Sequence, residues 1–285
     1  MMKRKLADKM KSEGTPLKTA LESVELAGSS YYYRPKGTRR PKALDKELVA
    51  AIHEVRQGRN EVYGYRKITQ ALQARGMTVN GKKVLRHLRS LGLTQPRKVK
   101  GIGWTRPDVM KPEEQNRYWE ADFTYVWTGK GNAYLCAVID GWDRDIVGDI
   151  FSDRCRAVEA SEALEKAVMG RFGGRIPAEH ELTLRVDRGS QFRAHQFQET
   201  ARLLNVKLEY AGIQCPEDKP YIESFNSNYK TEEIYRNEYR SFQEAKTEWE
   251  GYRDWYRNER LHQSLDYMSP VDYAQRAQNT ILLVA

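Results

Sequence analysis

Residues 117–140 read RYWEADFTYVWTGKGNAYLCAVID and have the pattern of two strands joined by a turn. Residues 117–127 are rich in aromatic and β-branched side chains, 128–132 contain two glycines, and 133–140 are strongly apolar. We expect an antiparallel pair of strands here. A third short strand is predicted at 145–151, which completes a meander.

Helices and strands alternate after the meander. Apolar residues recur at helical spacing from Val158 to Val168, and Gly173-Gly174 ends that helix. A strand, a helix and a strand are then predicted at 182–186, 195–204 and 206–210. Two further helices are predicted, from Asp218 to about Tyr235 and at 242–256. This order predicts an α/β domain with a five-stranded mixed sheet.

The net charge of +9 is unevenly distributed along the chain. Residues 1–115 hold 26 Lys and Arg against 11 Asp and Glu, a net charge of +15, whereas the remainder has a net charge of −6. Basic surfaces attract nucleic acid because each Lys or Arg near a phosphate releases condensed counterions. We therefore expect the first part to bind DNA, with a merely solvated basic surface as the alternative.

Helical blocks at 44–56, 65–75 and 82–91 precede the strands, and the last two, with a short turn between them, predict a helix-turn-helix. Four basic residues of the last helix are expected on its outer side, facing DNA: Lys82, Lys83, Arg86 and Arg89. Four apolar residues are expected to pack inward: Val84, Leu85, Leu88 and Leu91.

No segment of this sequence predicts a membrane protein. The longest uninterrupted apolar run inside the chain is 133–139, far shorter than the roughly 20 residues of a membrane-spanning helix. The basic first residues lead into no apolar segment, so no secretory signal is predicted. We expect a cytoplasmic protein without a membrane partner.

Three acidic residues lie on, or directly after, three separate predicted elements. Asp122 interrupts the first strand, Asp187 follows the strand at 182–186, and Glu223 lies in the first turns of a helix. Singly, each has a simple explanation as a turn former or a solvated helix residue. Together they provide oxygen ligands on rigid elements that converge at one sheet edge, the arrangement that two hard cations need for in-line phosphoryl displacement.

The residues around these acids resemble a known family, the insertion-sequence transposases of the second-reading-frame type, within the DDE superfamily of retroviral integrases and transposases. The similar segments are WEADFT at 119–124, DRGSQF at 187–192, and ESF at 223–225 followed by Lys230. Asp187 and Glu223 are separated by 35 residues, and Lys230 follows Glu223 by seven positions, as in that family.

The resemblance extends beyond the acidic residues and covers most of residues 15–275. YGYRKI at 63–68 resembles the opening of the family's helix-turn-helix, and RLHQSL at 260–265 resembles its terminal motif. Asp218-Lys219-Pro220 departs from the pattern, since many relatives have an Asp-Asn-Ala-like run there. Arg260 and His262 belong to the terminal motif, and we expect a structural or DNA-backbone role for them rather than metal binding.

The resemblance implies an RNase H-like catalytic core with Asp122, Asp187 and Glu223 as catalytic residues. It also implies that these three residues bind two Mg²⁺ ions, with Mn²⁺ as a substitute. Lys230 shares a helical stripe with Glu223, opposite the apolar residues Ile222, Phe225 and Tyr229. It is expected to contact DNA, as are Tyr65 and Arg66.

The implied partner is double-stranded DNA, comprising the terminal repeats of the element and the target. A homo-oligomer assembled on DNA is expected, together with a partner or fused segment from an upstream reading frame. Five regions are predicted: an N-terminal helical, helix-turn-helix-like segment with a basic linker (1–42), a helix-turn-helix domain (43–95), a linker (96–112), the RNase H-like core (113–240), and a C-terminal helix and tail (241–285).

The sequence therefore predicts a transposase that performs metal-dependent cleavage of DNA ends and strand transfer. Two alternatives remain at this point: a non-enzymatic helix-turn-helix regulator, and an RNase H-like nuclease without strand transfer. Glu217, Glu232 and Glu233 flank the predicted site without the motif spacing, and we expect them to tolerate Gln. A fragment of residues 1–110 is expected to carry most of the DNA affinity.

Overall fold

The computed structural model describes residues 2–33, 43–95, 112–212 and 218–284. Expectations for the linkers at 34–42 and 96–111, and for Glu217, lie outside the described residues. The chain divides into two compact units, Met1–Asp45 and Lys46–Ala285. Within the described residues, no helix combines the length and the apolar character needed to cross a membrane.

The described part of the first unit contains three short helices, α1 (Met2–Ser12), α2 (Leu17–Ser23) and α3 (Gly28–Tyr32). A small apolar cluster holds them together, with Ala7, Val24 and Tyr31 at its centre. All three helices lie within the segment 1–42, which the sequence predicts to be helical.

The second unit begins with three helices, α4 (Lys46–Val55), α5 (Tyr65–Ala74) and α6 (Gly81–Ser90), with a 3₁₀ turn at Gly58–Val62. The side chain of Asn80 accepts a hydrogen bond from the backbone N–H of Lys82 and so begins α6. The apolar residues Ile68, Leu72 and Val84 are buried where α5 and α6 meet. This arrangement agrees with the predicted helix-turn-helix.

The five strands form one mixed sheet. They are β1 (Tyr118–Thr128), β2 (Gly131–Asp140), β3 (Ile146–Ser152), β4 (Thr183–Val186) and β5 (Lys207–Tyr210), in the order β3-β2-β1-β4-β5. The first three strands pair antiparallel, and β4 and β5 add in parallel beside β1. The five-stranded mixed sheet and its meander are confirmed, and β1 is the central strand.

Helices cover both faces of this sheet. One face packs against α7 (Ala157–Phe172) and α9 (His195–Leu203), with the short α8 (Ser190–Arg193) beside them. The other face packs against α10 (Pro220–Glu232) and α11 (Phe242–Asn258). A last helix, α12 (Pro270–Val284), contacts α11 and was not predicted. Two further 3₁₀ turns lie at Ile234–Arg236 and Gln263–Leu265.

The spacing between α7 and β3 depends on a glycine. A Cβ atom at Gly148 would lie 2.3 Å from the carbonyl oxygen of Ala163, so only glycine allows the helix to approach this closely. The alternation along β1 then sorts its side chains: Trp119 and Ala121 face α7, whereas Val126 faces α10 and α11. Glu120 and Asp122 are an even number of positions from Val126, so their side chains lie on the same face of the sheet as that of Val126.

The helices α4, α5 and α6 share a hydrophobic core with the α10–α11 face of the sheet. Polar contacts reinforce this packing: Arg59 forms ion pairs with Glu233 and Glu248, and the Trp255 indole N–H donates to the side-chain oxygen of Asn60 at 3.0 Å. The helix-turn-helix region is therefore packed directly onto the domain that contains the sheet.

Candidate active site

The two aspartates come from neighbouring parallel strands. Glu120 of β1 is level with Arg185 of β4 in the parallel ladder. Asp122 lies two positions further along β1, and Asp187 lies two positions beyond Arg185, directly after the end of β4. Both carboxylates form an ion pair with the same Lys219 ammonium, so they lie close together. The convergence expected from the sequence is therefore present for this pair.

A tight turn follows Asp187. The Asp187 carboxylate accepts the backbone N–H of Gly189 at 2.7 Å. A Cβ atom at position 189 would lie 2.8 Å from Asp187 Oδ1 and 2.4 Å from the Gln191 side chain, so a larger residue there would displace the carboxylate. The backbone N–H of Gly189 thus helps to orient the Asp187 carboxylate.

Glu223 lies in the first turn of α10 and shares a cleft with Asp122. This active-site cleft has a volume of about 310 Å³ and is lined by Asp122, Glu223, Asn226, Ser227, Lys230, Thr231 and Tyr235. The Asn226 amide N–H donates to Asp122 Oδ2 at 3.0 Å, which ties the second turn of α10 to β1. Asp122 is therefore the residue that connects Glu223 with Asp187.

A lysine that the sequence did not single out lies between the two aspartates. Lys219 precedes α10 and is 5% exposed. Its Nζ is 3.1 Å from Asp122 Oδ1 and 3.8 Å from Asp187 Oδ2. Burial raises the pKa of Asp122, and the Lys219 ammonium opposes that rise. The only sequence signal was that Asp218-Lys219-Pro220 departs from the family pattern.

The acidic side chains do not enclose a vacant ion position. Among the residues that the structure describes, no three His, Cys, Asp or Glu side chains converge tightly enough to hold a metal ion as they stand. Asp122 and Asp187 are instead arranged around the Lys219 ammonium. The side-chain oxygen of Asn226 is buried and has no hydrogen-bond partner among the described residues. It is therefore a further oxygen atom beside Asp122 that is available as a ligand for a cation.

Glu120 connects β1 to the start of α10. Its side chain is fully buried, and Oε2 accepts the backbone N–H groups of Tyr221 and Ile222 at 2.9 and 2.8 Å. Burial raises the pKa of this carboxyl group to about 7, although the two N–H groups and the Tyr118 hydroxyl oppose the rise. Because Lys219 makes no side-chain cap, Glu120 is the acceptor that anchors the helix carrying Glu223.

The inner side of α10 is apolar, as its sequence predicts. Ile222, Phe225 and Tyr229 are buried, and the rings of the last two pack edge-to-face with Trp249 of α11. This packing directs the opposite stripe of α10 into the active-site cleft. Lys230 is half-buried on that stripe, and Tyr235 is an exposed aromatic residue at the rim.

The predicted DNA-contacting residues of the helix-turn-helix are separate from this cleft. On α6, Lys82 and Arg89 are exposed, whereas Lys83 and Arg86 are half-buried. Lys82, Arg86 and Arg89 share one helical stripe by their spacing. Tyr65 is half-buried and Arg66 is exposed at the start of α5, and the Arg66 guanidinium lies 5.8 Å from the Tyr65 ring centre.

The terminal motif is structural. Arg260 is buried and forms two 2.7 Å hydrogen bonds with the carboxylate of Glu232 at the end of α10. Burial and the neighbouring Arg260 hold the pKa of His262 well below its usual value. Lys67 of α5 lies 4.0 Å from the same Glu232 carboxylate. The motif thus joins α10 to the helix-turn-helix region.

Comparison with known families agrees with this geometry. Residues 112–216 match an integrase core domain, residues 204–270 match a second model of the same description, and residues 43–101 match a helix-turn-helix-like domain. The two integrase-core matches together include all the residues of the cleft.

The chain is similar to proteins of several insertion sequences. The transposase of element IS904 from Lactococcus lactis is 31% identical over 81% of this chain and 92% of its own length. The transposase of element IS629 from Shigella sonnei is 26% identical over 87% of this chain and 88% of its own. A 31.7 kDa protein of element IS407 from Burkholderia multivorans is 25% identical over 92% and 91%.

Solved structures show a looser likeness. A simian T-cell lymphotropic virus intasome, in complex with the PP2A regulatory subunit B56 gamma, is 16% identical, with a TM-score of 0.44 over 69% of this chain and 65% of its own. The catalytic domain of Mos1 mariner transposase is 14% identical, with a TM-score of 0.41 over 49% and 70%.

Proposed function

The chain belongs to the insertion-sequence transposases with an integrase core domain, and on that basis we propose that Asp122, Asp187 and Glu223 are its catalytic residues. The chain is thus a DDE-type transposase with an RNase H-like core. One observation carries the residue assignment: Asp122 shares a buried ammonium with Asp187 and a cleft with Glu223. Membership of this family also argues against a non-enzymatic regulator.

We propose that the three carboxylates bind two divalent metal ions, Mg²⁺ with Mn²⁺ as a substitute. The donor set fits such ions because it consists of oxygens on rigid elements, and the unpartnered oxygen of Asn226 adds one more. When bound, paired ions of this kind activate the attacking oxygen and stabilise the leaving one in phosphoryl transfer.

The chain's own residues position the reaction. The ladder between β1 and β4 sets the spacing of Asp122 and Asp187. Glu120 anchors α10, so Glu223 keeps its place relative to Asp122. Lys230 lines the same cleft on the same helical stripe as Glu223, and its positive charge attracts the DNA backbone there.

We further propose that DNA binds both the helix-turn-helix and the cleft. The supporting observations are the exposed Lys82, Arg89 and Arg66 and the half-buried Lys83, Arg86 and Tyr65. The DNA comprises the element's terminal repeats and the target. Joining two ends would engage two copies of the proposed site, which favours a homo-oligomer on DNA. An upstream-frame protein is a further proposed partner. The domain division at 42, 95, 112 and 240 also remains a proposal.

A combined cleavage and strand-transfer assay tests the proposed function. The full chain is incubated with Mg²⁺ and a linear duplex that carries the ends of its own element, and the products are separated under denaturing conditions. Transposition predicts both nicking at the end and joining of the freed 3′ hydroxyl to a second duplex, and both steps should stop on chelation. Nicking without joining would instead indicate a nuclease.

A further inference from the structure

The Lys219 ammonium occupies the position between the two catalytic aspartates. Its side chain is 6% exposed, so a full charge is held out of water at this point. Such a charge is tolerated only when it is paired, and its partners here are Asp122 Oδ1 at 3.1 Å and Asp187 Oδ2 at 3.8 Å. A divalent metal ion bound by both aspartates would occupy the same space between the two carboxylates.

Both oxygens of Asp122 already accept a hydrogen bond. Oδ1 accepts from Lys219, and Oδ2 accepts from the amide of Asn226 at 3.0 Å. A metal ion would lie about 2.0 to 2.6 Å from its ligand oxygens, which leaves no room for an ammonium group between the same carboxylates. Because Lys219 lies between Asp122 and Asp187, it is the group that a metal ion bound by both would have to displace.

We propose that Lys219 is a resident counter-ion of the active site that competes with the divalent metal ion shared by Asp122 and Asp187. In the metal-free protein it holds the two aspartates together, and it leaves Asp122 when the ion binds. The inference rests on the proposed function, because it takes Asp122 and Asp187 as metal ligands. It assigns a positioning role to a residue at which the chain departs from the family pattern.

Two measurable consequences follow from this competition. Without Lys219, the aspartates of the metal-free protein repel each other and lose their partner, so the metal-free protein becomes less stable. The metal ion no longer has to displace a cation, so it binds more tightly. A merely structural lysine would produce the first effect without the second.

The experiment is thermal unfolding of the full-length chain in chelator and across a Mn²⁺ titration. Lys219→Met keeps the length of the side chain and removes its charge. We expect the metal-free Tm to fall by several degrees, and the Mn²⁺ concentration for a half-maximal rise in Tm to fall about tenfold or more. Lys230→Met is the matched control, because Lys230 lines the same cleft without an ion pair to either aspartate in the described structure.

The outcomes separate this inference from the proposed function. If Mn²⁺ stabilises the wild type, Asp187→Asn abolishes that effect, and Lys219→Met changes metal affinity no more than Lys230→Met, then the competition is refuted and the metal site stands. If Mn²⁺ stabilises neither the wild type nor Lys219→Met, the metal site fails and the inference with it.

A double variant protects the test against a poorly folding single variant. Lys219→Met combined with Asp122→Asn removes both charges of the pair. We expect the metal-free Tm of the double variant to exceed that of Lys219→Met alone, because the unpaired carboxylate is gone. If the Tm of the double variant is instead lowered by the sum of the changes in Lys219→Met and Asp122→Asn, the two residues are not paired and the proposal is overturned.

Discussion

Glu120 accepts the backbone N–H of Ile222 at 2.8 Å and thereby ties the helix that carries Glu223 to the strand that carries Asp122. The contact is fully buried and spans 102 positions of the chain. It sets the distance between two proposed catalytic residues without touching substrate. Glu120 is therefore a positioning residue.

Two substitutions at Glu120 distinguish the loss of its hydrogen-bond acceptor for α10 from the loss of its charge. Glu120→Gln keeps an oxygen acceptor for the N–H groups of Tyr221 and Ile222, whereas Glu120→Leu leaves both without one. Each unpaired buried N–H costs about 1 to 3 kcal/mol, so Leu should lower the free energy of unfolding by at least about 2 kcal/mol. Strand transfer should drop sharply in Glu120→Leu and should stay much closer to the wild-type level in Glu120→Gln. Equal activity of the two variants would contradict the positioning role.

The ion pair between Arg260 and Glu232 should matter for stability. Glu232 is largely buried, and removal of one partner from a buried pair costs about 3 to 5 kcal/mol. We therefore expect Glu232→Gln to lower the free energy of unfolding by about 3 kcal/mol, measured by denaturant unfolding. The control is Glu165→Gln, an exposed glutamate on α7. Similar stabilities for the two variants would show that the pair contributes nothing net.

Lys67 should impose a pH dependence on stability. Burial, and secondly the nearby Arg260, lower its pKa to about 7 from 10.5, against the attraction of Glu232. Between those two pH values the unfolded chain binds more protons than the folded one, so the free energy of unfolding should rise with pH across this window. Below about pH 7 the cost of the buried charge is fully present.

Lys67→Met removes this titration. In chelator, the variant should gain stability relative to the wild type at pH 6 to 7, and the difference should shrink towards pH 10. Arg260 still neutralises Glu232 in the variant, so the remaining carboxylate keeps a partner. Lys82→Met, at an exposed position, is the control. A stability difference that stays constant with pH would contradict the lowered pKa of Lys67.

The basic surface of α6 should determine the salt dependence of DNA binding. Replacement of Lys82, Lys83, Arg86 and Arg89 by Ala in the full chain should reduce the slope of log affinity against log salt by about 0.9 for each DNA phosphate that these residues neutralise. The control replaces four exposed basic residues outside the helix-turn-helix: Arg154, Lys166, Arg202 and Lys207. Equal slopes for the two sets would place the main DNA-binding surface elsewhere.

The core was predictable from local sequence because its elements have strong periodic patterns. The strand β1 is rich in aromatic and β-branched residues, β2 is a nearly continuous apolar run, and two glycines mark the turn between them. The apolar stripe Ile222, Phe225 and Tyr229 likewise indicated which side of α10 is buried. Patterns of this kind report burial within one element, and they are reliable where the element packs on one face.

Contacts between distant elements were not predictable from the same patterns. The sequence suggested that Glu232 and Glu233 tolerate Gln, but Glu232 is paired with Arg260 and Glu233 with Arg59 in the interior. Lys219 and Glu120 looked like ordinary charged residues because their partners come from other elements. The partners of these buried charged residues lie far away in the sequence, and no local spacing encodes such contacts.

The expected behaviour of an isolated 1–110 fragment also changes. The helices α4, α5 and α6 bury apolar residues such as Leu48 and Ile52 in a core shared with α11. A fragment without α11 would expose that surface to water and is not expected to fold as it does in the full chain. DNA binding is therefore best measured on the intact protein.

The proposed metal-ligand role of Glu223 predicts a specific pattern of loss. Glu223→Gln keeps the size of the side chain and removes the charge that helps to hold a metal ion, so catalysis should fall by more than about a hundredfold, since even outer-shell partners cost 10- to 100-fold. Folding and end binding should persist because the side chain is not in the buried core. Asp122→Asn and Asp187→Asn should lose catalysis in the same way.

The most direct test is Mg²⁺-dependent strand transfer by Glu223→Gln on DNA that carries the element's own ends, with thermal unfolding and end binding measured on the same preparation. Glu165→Gln is the control, because Glu165 is exposed. We predict that Glu223→Gln folds and binds ends normally but transfers no strands, whereas Glu165→Gln does all three. Near-normal strand transfer by a well-folded Glu223→Gln protein would contradict the assignment of Glu223 to the catalytic site.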